Sequence, residues 1–127
     1  MSTIDWVGIP FSWQGREPGT HDCWTLAKAY LAEHGLVLPD YEYIPHEHAE
    51  TIATATSQPQ WVLVTGEPQP LDVVLLGHNE RLHHVGVIVE PDMLLHMTPR
   101  TGSIVQRLSL ITQVSPYRQW KAYRWVE

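Results

Sequence analysis

Between His21 and Gly35 the apolar positions keep a helical period. Cys23, Leu26, Ala27, Tyr30 and Leu31 fall at i, i+3, i+4, i+7 and i+8, a single stripe, with Lys28 and Glu33 off it. The pattern predicts a helix over 22–34. Asp22 or Thr20 can cap its start, Gly35 can close it, and Pro39 follows. Trp24 lies off the stripe and is expected to be exposed beside the thiol. Upstream, residues 5–20 hold several Gly and Pro and read as an irregular lead-in. Downstream, "LPDYEYIPHEH" reads as loop and "HAETIATAT" as a short helix. After Pro70 the period changes. "DVVLLG", "HVGVIVE", "MLLHM", "SIVQRLSL" and "WKAYRWV" are short β-rich runs divided by Gly, Pro and polar residues. Helix first and strands afterwards imply an α+β domain with an antiparallel sheet.

Composition narrows the classes. The 127 residues suit one domain, and 43% apolar with 17% charged residues is a globular balance. The formal charge is −6 and no basic stripe is visible, which argues against nucleic acid or an anionic membrane as partner. No apolar run reaches membrane-spanning length, so no membrane insertion is expected. The opening "MSTIDWVGIPF" lacks a basic n-region and a long apolar h-region. The chain is therefore expected to be made in a cytoplasm and to leave it only if carried.

Cys23 is the single cysteine, so no internal disulfide is available. It opens the buried stripe at the positive end of the helix, where a thiol's pKa falls. A buried packing thiol fits the same position equally well. The histidines weigh on the choice. In "HHVGVIVEPDMLLHM" His84, Gly86 and Ile88 share one strand face, and His83, Val85 and Val87 the other. Gly86 leaves room beside His84 for a helix end. With Glu90, Pro91 and Asp92 as a three-residue loop, Gly86 lies opposite His96, and His84 becomes the diagonal neighbour of His96. A cysteine nucleophile needs a base, and the base needs a polar group to orient it. Cys23, His84 and His96 fill those roles in order, and backbone N–H groups at the helix start can stabilise an oxyanion. The same three side chains also suit zinc, although a fourth ligand is not evident. By parity His83 faces away. His46 and His48 flank Glu47 without forming H-E-x-x-H and read as loop histidines. Asp22 reads as a helix cap and Asp72 as a turn aspartate. Trp6, Trp61, Trp120 and Trp125 read as core, and Tyr41–Tyr43 as either groove lining or packing.

These residues resemble the NlpC-type cell-wall peptidases. "GIPFSWQGREPGTHDCWTLAKAYL" is similar to their opening G-x-P-Y-x-W-G-G and D-C-S-G-L pattern. "LDVVLL" resembles their G-D-hydrophobic strand, and "HVGVIV" with "LLH" resembles their histidine strands. The likeness runs from about Val7 to Leu108. It implies one papain-like α+β domain over 1–127, with N-terminal helices packed on an antiparallel sheet of about five to six strands. It implies a Cys-His-His site with Cys23 as nucleophile, His84 as base and His96 as orienting group, and no metal or cofactor. It also implies hydrolysis of amide bonds in peptidoglycan stem peptides.

Phe11 stands where the family usually has a tyrosine, and Trp24 and Thr25 replace a small Ser-Gly pair. Phe11, Trp13 and Trp24 are the expected substrate-binding residues. The Asp-Cys-Trp start resembles the branch found in tail proteins of long-tailed bacteriophages. That likeness implies a phage or prophage tail-tip peptidase, with other tail-tip proteins as partners. Such a protein is made in the host cytoplasm without a signal peptide and acts in the periplasm from the virion. Three readings stand: this peptidase, a structural tail module with the same fold but little turnover, and a Cys-His metal site.

Overall fold

The structure, a computed structural model, describes residues 3–15, 17–38, 57–78, 81–113 and 117–126. The expected loop after Leu38 and the helix expected at 48–56 lie outside the described residues, as do Tyr41–Tyr43, His46 and His48. The lead-in is irregular as expected, with 3-10 turns at Thr3–Trp6 and Trp13–Gly15. Helix α1 spans Cys23–Glu33, and Gly35 leaves it at φ +87°, a left-handed conformation that glycine adopts at little cost.

Six strands follow: β1 Trp61–Leu63, β2 Val73–His78, β3 Arg81–Glu90, β4 Met93–Thr98, β5 Gly102–Arg107 and β6 Gln119–Trp125. They form one antiparallel sheet in the order β1-β6-β2-β3-β4-β5. The domain is thus papain-like α+β, with the expected strand count. Among the described residues one long helix packs on the sheet. The sequence pattern misses β1, a three-residue strand held by its pairing with β6 and by Trp61 set edge-to-face on Trp125 at 5.1 Å.

The run "SIVQRLSL" does not stay extended. Strand β5 stops at Arg107, and Leu108–Ile111 forms a short helix, α2. Leu108 and Ile111 lie three apart on one side of that turn, and both are buried. Asp92 fixes the switch by accepting the Ser109 N–H at 2.9 Å and its hydroxyl at 2.6 Å.

The sheet buries both faces. Val73, Leu75, Val85, Val87, Leu95 and Met97 pack with α1 and the lead-in. Val74, Leu76, Ile88, Leu94 and Ala122 pack on the other face with α2. Strands buried on both sides read as continuous apolar runs, and "DVVLL" and "VGVIV" do so. Lead-in residues Gly8 and Ile9 pair with Ser103, tying the N-terminal segment to β5.

Candidate active site

Asp22 caps α1 reciprocally with Thr25. The Thr25 N–H donates to Asp22 Oδ1 at 2.8 Å, and the Asp22 N–H donates to Thr25 Oγ1 at 2.9 Å. This capping box makes Cys23 the first helical residue, as the sequence pattern requires. The Thr25 hydroxyl also lies within hydrogen-bond distance of His21 Nδ1, at 3.1 Å.

Cys23 is only 2% exposed. Burial pushes its thiol up to about 12, and the Asp22 carboxylate pushes the same way. The backbone N–H groups of Val85, Trp24 and Cys23 itself pull in the opposite direction. The helix start was expected to lower this pKa; desolvation outweighs it, and the resting group is a neutral thiol. The Val85 N–H also locates the sulfur, since Val85 follows His84 directly in β3.

His84 and His96 meet as expected, through a slightly different turn. Glu90 pairs with Met93, so the β3–β4 turn is Pro91-Asp92, with Asp92 at φ 61°. An irregularity between Ile88 and Glu90 restores the Ile88–Leu94 and Val87–Leu95 register. Continued by one pair, that register sets Gly86 opposite His96. His84 Nε2 and His96 Nδ1 are 2.9 Å apart, with ring planes at 82°. Both rings are buried, at 5% and 2% exposure. Burial lowers the His96 pKa, against a smaller opposing effect of the Gln106 hydrogen bond, so His96 is neutral at pH 7.

The helix does not cover the histidine face. His84 pairs with Leu76, and His96 shares its face with Leu94, so both histidines belong to the face opposite α1. The space at Gly86 takes Leu94 rather than a helix end: a Cβ there would stand 2.8 Å from Leu94 Cγ. Cys23, at the N-terminal end of α1, reaches β3 at the Val85 backbone next to His84, close enough to Tyr117, whose ring stacks on His84, to help raise the Tyr117 pKa.

The strand irregularity also moves His83. Leu76 pairs with His84 but Gly77 with Leu82, so His83 is an extra residue and strict alternation fails. Its ring lies 6.1 Å from Tyr117, whose ring stacks on His84 at 4.7 Å. His83 therefore borders the site instead of facing away from it.

The aromatic positions divide. Pro10 and Ser12 hydrogen-bond to the His21 backbone and Phe11 bridges His21, so this segment lies beside the start of α1. Phe11 is partly buried and sits edge-to-face on Trp13 at 5.1 Å; Trp13 is 37% exposed. Trp24 does not flank an open thiol. It is 5% exposed and part of the same core cluster as Trp6 and Tyr30, whose rings meet edge-to-face at 5.4 Å. Of the remaining tryptophans, Trp6 and Trp61 are core and Trp120 is 38% exposed. Asp72 does make its turn contact, accepting the Gln69 N–H at 2.8 Å.

Residues 8–124 match the family model described as the NlpC/P60 family. The chain belongs to the NlpC/P60 family. Two solved NlpC/P60 structures share its fold. The NlpC/p60 domain of the peptidoglycan hydrolase SagA is 17% identical, with TM-score 0.59 over 93% of this chain and 89% of that one. A lipoprotein-like NLP/P60 protein from Staphylococcus aureus subsp. aureus Mu50 is 19% identical, with TM-score 0.63 over 98% of this chain and 39% of that longer one. No curated protein matches the sequence.

Two residues of this NlpC/P60 site escape the sequence pattern. Gln106 Oε1 lies 2.7 Å from His96 Nε2. It sits opposite Leu94, one diagonal step from His96, so alternation along β5 could have found it. Tyr117 follows α2 outside any periodic run and carries no such signal. A cavity of about 450 Å³ adjoins His96, lined by Ile104, Gln106, Arg107, Ile111 and Tyr117. Among the described residues no group of three or more His, Cys, Asp or Glu could hold a metal ion.

Proposed function

We propose that this NlpC/P60 domain is a cysteine peptidase that hydrolyses amide bonds in peptidoglycan stem peptides. The observation that carries the reading is the buried His84–His96 hydrogen bond, with the helix-start thiol at the Val85 backbone next to His84 and acting on Tyr117, which stacks on His84. Cys23 acts as nucleophile, His84 as base and His96 as orienting group. The Cys23 proton passes to His84 as sulfur attacks the amide carbon, and the oxyanion is held by backbone N–H groups at the helix start. The tetrahedral intermediate expels the amine, which takes the proton from His84. Water, deprotonated by His84, then cleaves the thioester. A resting thiol near pKa 12 suits this order, since proton transfer accompanies attack. Phe11 and Trp13, beside the start of α1, line the substrate approach. The substrate class is supported by the family and by SagA, a peptidoglycan hydrolase of the same fold.

The setting follows from the Asp22-Cys23-Trp24 likeness: a phage or prophage tail tip, made in the host cytoplasm, docked on other tail-tip proteins and acting in the periplasm. Mass spectrometry of purified virions is expected to find the chain, and its absence from particles would remove this setting. The near-complete burial of Cys23, His84 and His96 favours a second reading, a tail module with little turnover. Digestion of purified sacculi, with mass spectrometry of the released muropeptides, separates the two. The peptidase releases fragments and its Cys23→Ser variant, folded but without an ionisable thiol, releases none. Equal release by the variant would end the catalytic assignment.

A further inference from the structure

The outer end of the histidine pair is the side chain of Gln106, on the solvent-exposed end of β5, with its amide oxygen 2.7 Å from His96 Nε2. We propose that Gln106 is a positioning residue that sets the proton positions of both histidines, so that His84 carries its proton on Nε2 and its lone pair on Nδ1. The inference rests on the peptidase reading of Cys23 and His84.

The proton positions are fixed from Gln106 inward. An amide oxygen only accepts, so His96 Nε2 must donate to it. A neutral imidazole has one N–H, so His96 Nδ1 is then an acceptor. His84 Nε2, 2.9 Å from that nitrogen, must be the donor. The remaining nitrogen of His84, Nδ1, is thereby the ring's proton acceptor, the form a base for Cys23 requires. The chain works only while His96 stays neutral. Were His96 charged, its Nδ1 would donate, His84 Nε2 would accept, and the His84 proton would move to Nδ1. An uncharged partner at position 106 avoids that reversal, and a carboxylate would promote it by stabilising the imidazolium. Burial of His96 works in the same direction as the amide's neutrality.

Imidazole nitrogen NMR on the reduced wild-type protein at pH 8 reads both tautomers directly. The expected result is protonated Nε2 and unprotonated Nδ1 in His84 and in His96. Gln106→Leu is expected to leave the fold intact, because the side chain is exposed, and to give averaged nitrogen shifts at His96. Its kcat on sacculi should fall about tenfold with KM unchanged, the scale of one neutral hydrogen bond. Gln106→Glu should move the acid limb of the kcat profile to higher pH, with activity returning as pH rises. A neutral His84 protonated on Nδ1 in the wild type, or unchanged tautomers in Gln106→Leu, would overturn the proposal. Sacculi left intact by the wild type would instead sink the substrate reading, while the nitrogen shifts would still decide the role of Gln106.

Discussion

Gly86→Ala tests whether strand spacing holds the histidine pair. The new Cβ would stand 2.8 Å from Leu94 Cγ, Leu94 Cδ1 and the Leu95 carbonyl oxygen. Leu94 is fully buried, and the Leu95 oxygen belongs to the backbone of the paired strand and cannot swing aside. Relief therefore requires β3 and β4 to separate locally. Overpacking of this kind costs about 1–3 kcal/mol. Replacing glycine within a strand returns about 0.5–1 kcal/mol of chain entropy. The net loss is about 1 kcal/mol within a range of about 0–2.5 kcal/mol, or roughly 4 °C and at most about 9 °C in Tm for a domain of this size. Separation at Gly86 also lengthens the 2.9 Å contact between His84 and His96, since Gly86 is two residues from the first and opposite the second. Urea unfolding reads the stability and sacculus digestion the rate; both should fall. A variant with the wild-type midpoint and the wild-type rate would refute the claim that this glycine sets the site's geometry.

His96→Asn should keep partial cleavage, because an amide can still hydrogen-bond His84, and His96→Ala should be worse; equal rates for His96→Ala and wild type would remove His96 from the site. Asp72 is 2% exposed and accepts hydrogen bonds from both Nε and Nη2 of Arg124 at 2.8 Å, but the arginine side chain is 44% exposed and screened by water, so Asp72→Asn should lower the urea midpoint only modestly. Burial lowers the pKa of His96 and of His21, each against a smaller opposing effect. The unfolded chain therefore takes up protons near the ordinary value of 6.5 while the folded chain does not. The stability these groups contribute is full above pH 6.5 and is lost as pH falls through their folded values. The urea midpoint should drop between pH 7 and pH 5, and His96→Asn should flatten part of that drop.

Local chemistry was enough for much of the molecule. The cap at Asp22, the stripe from Cys23 to Leu31 and the stop at Gly35 are set within a few residues, so α1 is legible from the sequence alone. The strands after Pro70 are legible for the same reason, and so is the meeting of His84 with His96, because an antiparallel hairpin with a short turn admits few registers. What depends on distant segments was not legible. Trp24 is buried although it lies off the helix stripe, because the core cluster it joins gathers distant segments, and the face that α1 covers was decided by packing across the sheet. The extra residue at His83 follows from pairing with β2, which local alternation does not register. Gln106 reaches His96 through the pairing of β5 with β4, and Tyr117 reaches the histidines only when the segment after α2 meets the second sheet face. The state of Cys23 shows the division most plainly. Its position at a helix start is written locally and favours the thiolate, but a thiol's ionisation depends on the surrounding dielectric, and the fold that buries Cys23 makes the neutral form the resting one.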